Sequence, residues 1–247
     1  MAGFQQVKVS RELEFVGDAN QEANVKGNIS TKKVAFVDHF VGKALDTTND
    51  YTSYLDTTST VALGASAAAT GFVTITSAAT DTKTGSLAGN LVLYCAMNPV
   101  VEWRFKIDVI TTVAINVGFN DATAEGTGAL PFTISGTTVT DTATDGVMFC
   151  FDTNQTTDYW YIVNTKNGTQ GGTILASTYV PVAATFVTLR IEIDTSGNAS
   201  YFYNGVQVGY KASAVTTTVA LCPYIGIRNN TATAHILDAD YLKIWAD

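Results

Sequence analysis

Two carboxylates, Glu192 and Asp194, stand two residues apart in a stretch where Leu189, Ile191 and Ile193 alternate with Arg190, Glu192 and Asp194. A strand places such a pair on one face. Two carboxyl groups about 5 Å apart across a glycosidic bond can act as nucleophile and as acid/base. Outward acids on an amphipathic strand are, however, usually solvated surface. A second group, Asp152-Thr153-Asn154 with Asp158, has oxygen atoms suited to a hard cation such as Ca²⁺, which takes six to eight oxygen ligands. Asp and Asn are equally expected there as turn formers. His39 and His235 are far apart, and neither neighbours a convincing Ser or Cys nucleophile. The expectation is therefore no catalytic residues, no metal and no other cofactor. For binding, Tyr159, Trp160 and Tyr161 are the candidates to meet a glycan, because three consecutive aromatics put at least one ring on each face of a strand.

The elements that would position these residues are strands. The chain of 247 residues is 46% hydrophobic and only 15% charged, rich in Thr, Val, Ala and Gly, with four prolines. Such residues suit pleated, half-buried surfaces, and strong helix formers are scarce. Residues 101–108 give the cleanest alternation, with Val101, Trp103, Phe105 and Ile107 against Glu102, Arg104, Lys106 and Asp108. Asn204-Gly205 separates two further alternating runs. That dipeptide is a strong hairpin signal, because a type I′ turn needs positive φ at both central positions. Residues 87–97 read as uniformly apolar, the pattern of a strand buried on both faces, and residues 146–152 and 159–164 read as two further strands. Residues 125–144 read as a long loop with a short hairpin near Phe132 and Val139. About a dozen short strands with turn signals between them predict an all-β sandwich or barrel.

Net charge of −8 and a pI near 4.6 repel phosphate backbones and offer no basic stripe, so no nucleic-acid partner is expected. No apolar run approaches the roughly 20 residues of a membrane span, and the first residues lack a signal-peptide layout. A cytosolic origin is expected. Cys95, Cys150 and Cys222 are far apart in apolar surroundings, which predicts reduced core thiols rather than a disulfide framework. Residues 1–37 are more charged and poorer in apolar groups than the remainder. They read as an N-terminal arm whose Phe4, Val7, Val9, Leu13 and Phe15 would be buried against a neighbouring subunit, with residues 38–247 forming the folded domain.

The order VEWRFKID (101–108), LRIEID (189–194), YFYNGVQVG (201–209) and YLKIW (241–245) resembles the concanavalin A-like lectin/glucanase superfamily. That resemblance implies a two-sheet antiparallel jelly-roll sandwich, here with an extended N-terminal arm. Enzymes of the superfamily carry three acidic residues alternating on one strand, and here the third place is Ser196. A jelly roll with an acidic chain and such an arm is similar to bacteriophage virion proteins, including capsid decoration and tail pieces. The resemblance implies a non-enzymatic structural protein of a virion, made in the host cytoplasm, with other virion proteins and copies of itself as partners. The other expectation is a carbohydrate-binding or host-recognition module whose partner is a surface glycan.

Overall fold

Alternating side chains and turn residues produce strands nearly everywhere they are expected. A computed structural model describes residues 34–42, 44–64, 71–126, 128–171, 174–175 and 179–247. In chain order the strands are β1 (Val34–Asp38), β2 (Tyr51–Leu55), β3 (Thr60–Leu63), β4 (Val73–Thr76), β5 (Thr84–Gly89), β6 (Val100–Ile107) and β7 (Val113–Asn120). There follow β8 (Phe132–Ser135), β9 (Thr138–Asp141), β10 (Gly146–Asp152), β11 (Tyr161–Lys166), β12 (Thr169–Gln170), β13 (Ile174–Leu175) and β14 (Val187–Ile193). The last four are β15 (Ala199–Tyr203), β16 (Val206–Lys211), β17 (Cys222–Asn229) and β18 (Ile236–Ala246). A single short 3₁₀ turn, Cys95–Met97, is the only helical element among the described residues.

Two large antiparallel sheets face one another. The first runs β16-β15-β14-β6-β18-β4-β3, and β1 joins the edge of β18 beyond the end of β4. The second runs β12-β11-β10-β7-β17-β5-β2, with β13 also on β11. On β6 the inward residues Val101, Trp103, Phe105 and Ile107 are buried while Glu102, Arg104 and Lys106 are half-buried outside. Trp160 fills the space between the sheets, its ring edge-on to Phe105 and Phe149 and tilted against Phe151. Each large apolar side chain so enclosed is worth roughly 1.5–3 kcal/mol relative to exposure. The β15–β16 hairpin closes through Asn204 and Gly205, with φ of 47° and 82°, as a type I′ turn requires.

The second sheet is covered twice. Its inner face meets the first sheet, and its outer face is roofed by the β8–β9 hairpin and the segments flanking it. Leu130, Phe132, Ile134, Val139 and Ala143 form a second apolar layer with Met148, Cys150, Val163, Cys222 and Tyr224. This explains why β5, β7 and β10 are buried at every position.

Residues 87–97 depart from expectation. The strand stops at Gly89, and Leu91, Val92 and Tyr94 are 40%, 53% and 42% exposed. The apolar run ends a strand and then forms a surface loop, because Asn90 turns the chain and the 3₁₀ turn follows. At the other end, β1 takes the last four residues read as arm together with Asp38, and it pairs with β18 from Val34↔Ala246 to Asp38↔Leu242. No helix among the described residues is long and apolar enough to cross a membrane.

Candidate functional site

Glu192 and Asp194 do not form a matched catalytic pair. Glu192 sits on the outer face of the first sheet, where its Oε1 lies 3.1 Å from Arg190 Nε. Asp194 lies just beyond β14 and organises the following turn: Oδ1 accepts from the N–H groups of Ser196 and Asn198, and Oδ2 accepts from the Asn198 amide. Around Glu192 the outer face is a ladder of matched charges. Glu102 accepts a hydrogen bond from the Tyr241 hydroxyl at 2.9 Å and pairs with Lys243 at 3.5 Å. Arg104 pairs with Asp240, and Lys106 with Asp238. Arg104 and Arg190 also lie over the rings of Phe186 and Phe202, each 4.2 Å from the centroid. The face is charge-compensated throughout, as cross-strand ladders are.

Asp152 is fully buried, and donors occupy both of its oxygens. Oδ1 accepts from the Asn154 N–H and the Asn230 amide, and Oδ2 accepts from the Ile134 N–H and faces Arg228 at 3.5 Å. The carboxylate thereby ties the β8–β9 roof to β10 and β17. Asn154 and Asp158 are exposed beside it, and no group of three His, Cys, Asp or Glu among the described residues is arranged to hold a metal. His235 likewise has a local role: Nε2 is 3.1 Å from Thr112 Oγ1, and Nδ1 is 3.9 Å from Asp108.

The three consecutive aromatics do not share an open face. Trp160 is fully buried in the core, which removes it as a ligand platform. Tyr161 packs against the second apolar layer, and Tyr159 is half-buried. Phe4, Val7, Val9, Leu13 and Phe15 lie outside the described residues.

The structure instead forms a cleft of about 270 Å³ where the two sheets part, near the lower end of sizes typical of ligand sites. One wall is Phe36 from β1 with Leu242 and Ile244 from β18. The other is Tyr51, Gly89, Leu93 and Pro223, and Asp50, Asn90 and Val92 also line the space. Phe36 meets Tyr51 edge-on at 6.0 Å. The Tyr51 hydroxyl donates to Asp38 Oδ2 at 2.9 Å. Burial first, and the Asp38 carboxylate second, push that phenol up, so it remains a donor. Gly89 is required by close packing, since an added Cβ would come within 2.6 Å of Pro223.

The polar edge of the cleft comes from two turns. Asp46 organises one by accepting from the N–H groups of Thr48 and Asn49 and from the Asn49 amide, and this turn delivers Asp50 to the start of β2. Asn90 follows β5 and donates one amide hydrogen to the Asn49 carbonyl at 2.7 Å, linking the turns. The Asp50 carboxylate and the Asn90 amide oxygen have no hydrogen-bond partner among the described residues. A donor-rich ligand with one apolar side can satisfy both while covering Phe36 and Val92. Sequence reading passed over this site because residues 46–50 look like any Asn/Asp turn. The available signal was Gly89-Asn90, a strand stop inside an apolar run.

No protein-family model matches the sequence, and no curated protein matches it. Solved structures are similar in shape. The carbohydrate recognition domain of Emp47p has a TM-score of 0.59 at 11% identity, covering 86% of this chain and 94% of that one. An endo-β-1,4-glucuronan lyase from the fungus Trichoderma reesei has 0.58 at 12% identity, covering 87% and 96%. The Bacillus licheniformis β-glucanase has 0.57 at 11% identity, covering 85% and 97%. These likenesses show the fold, the two-sheet jelly roll of concanavalin A-like lectins and glucanases. They also correct the expectation of a non-enzymatic chain: the same architecture houses a lyase and a glucanase, so it sets no bar to chemistry on glycans.

Proposed function

We propose that this protein is a lectin-like, glycan-binding domain that takes its ligand in the cleft between β1 and β18 on one side and β2 and β5 on the other. The observation that carries the reading is the composition of that cleft. Apolar and aromatic walls can cover the C–H face of a sugar, while Asp50 and Asn90 stand ready for its hydroxyls, the division of labour expected of a small-ligand site. The similar structures, a carbohydrate recognition domain and two glycan-degrading enzymes, support a glycan rather than a virion protein as the partner.

The test is binding of the full chain to a glycan array, followed by calorimetry on the best ligand with wild type and Asn90→Ala. Saturable binding that weakens about tenfold in Asn90→Ala is expected, the size of one good hydrogen bond to a ligand. Binding that is unchanged in this variant would place the ligand elsewhere. Assaying the same ligands for new reducing ends or unsaturated products tests for turnover.

A further inference from the structure

The charges around the cleft carry an inference about its ligand, one that rests on reading the cleft as a glycan site. Among the ten lining residues there is no Lys or Arg, and the only ionisable groups are the Asp50 carboxylate and the Tyr51 phenol. Behind Tyr51 stands a second carboxylate, Asp38. Asp46, which shapes the turn at the mouth, is held below the usual carboxylate range by the Asn49 amide and by the N–H groups of Asn49 and Thr48, so it remains charged. The nearest described cation on β18, Lys243, faces the opposite side of its sheet and is committed to Glu102. Three carboxylates thus gather at this edge with no compensating cation in the lining, on a chain of net charge −8.

We infer that the cleft selects uncharged sugars and rejects uronic acids and other anionic glycans. A hydroxymethyl or ring hydroxyl donates to Asp50 and relieves its lack of a partner. A carboxylate in the same place has no proton to give and meets Asp50 as a like charge, an arrangement that costs affinity in any partly desolvated site. Asn90 contributes without regard to charge, because its amide both donates and accepts. Asp50 is therefore the discriminating residue, and Phe36 and Val92 supply contact common to both ligand types.

The experiment uses the full chain and matched pairs of oligosaccharides: glucose, mannose and galactose oligomers beside the same oligomers with C6 oxidised to the uronate, titrated calorimetrically at low salt. At least one neutral oligomer should bind, with its uronate partner at least tenfold weaker. Asp50→Asn should narrow that gap, and Asp50→Lys should close or reverse it, while the circular dichroism spectrum of this surface variant stays unchanged. Equal or tighter binding of a uronate to wild type, lost in Asn90→Ala, would overturn the charge selection and leave the glycan site standing. If no oligomer of either series binds, or if binding is indifferent to both Asn90→Ala and the Asp50 substitutions, the glycan reading of the cleft falls, and the inference with it.

Discussion

Single residues show where polar groups are held and where they are free. Asp152 is fully buried and its charge partner Arg228 is partly so, and the carboxylate has further partners, so removing Arg228 leaves a buried carboxylate without its counter-charge. Arg228→Ala should cost about 3 kcal/mol, read from the urea midpoint at constant slope. The cysteines make a different prediction. All three are free and buried. Burial is the largest effect on each thiol, and it pushes Cys222 up to about 12 and Cys150 higher still. Since the thiolate is the reactive form, Ellman's reagent at pH 8 should leave Cys150 and Cys222 unlabelled in the folded protein and label them once urea unfolds it. Rapid labelling of either in the native state would contradict this burial. By contrast, the Asp50 carboxylate and the Asn90 amide oxygen lie exposed without a hydrogen-bond partner among the described residues, and the binding reading depends on that freedom.

At the scale of elements, the β8–β9 hairpin works as a roof. Its Phe132 is fully buried on the outer face of the second sheet, and the Phe132 N–H donates to Asn116 Oδ1 at 2.7 Å. Phe132→Ala should therefore cost about 3–5 kcal/mol, as a core truncation does, although from sequence this hairpin reads as part of a long loop and nothing marks it as core. Tyr94→Ala, in a run that reads as a buried strand, should change stability by less than about 0.5 kcal/mol. Thermal unfolding of the two variants decides both. The pair also shows what sequence conveys. Strands such as β6 and β14 were legible because each has one dry and one wet face, so period-2 alternation records the geometry directly. A doubly buried strand is legible only as an apolar run, and a run does not say where the strand ends: residues 87–97 read as one strand, whereas β5 stops at Gly89. The cleft was not legible, because Phe36, Asp50, Asn90 and Leu242 meet only through the pairing of β1 with β18 and of β2 with β5. Nothing local to any of the four records that meeting.

Taken whole, the molecule is acidic, and its response to pH is set by carboxylates pulled in opposite directions. Burial raises Asp121 and Glu125, so folding favours their protonated forms. Their contribution is fully present below the ordinary carboxylate range and is lost as pH rises through their raised folded values. Asp46 and Asp194 behave in reverse. Hydrogen bonds from Asn49 lower the first; at Asp194 burial is the largest single effect and pushes upward, but the hydrogen bonds from Asn198 and Ser196 together outweigh it. Their contribution is present above the ordinary range and lost as pH falls through their lowered folded values. The melting temperature should therefore rise modestly as pH is lowered from neutral toward the ordinary carboxylate range and fall once pH drops below that range, and Glu125→Gln should flatten the rise. The central place of β18 has a consequence for biosynthesis. This strand pairs with β6, β4 and β1, yet it is translated after all three, about 130 residues behind β6. At 5–20 residues per second the ribosome needs roughly 6–26 s to cover that distance. Throughout it, Trp103 and Phe105 belong to a strand that lacks its β18 neighbour, even after β14 has been made on the other side. The nascent chain therefore spends that time with a sticky, unpaired edge, and holding it soluble falls to the chaperones of the cell that makes it.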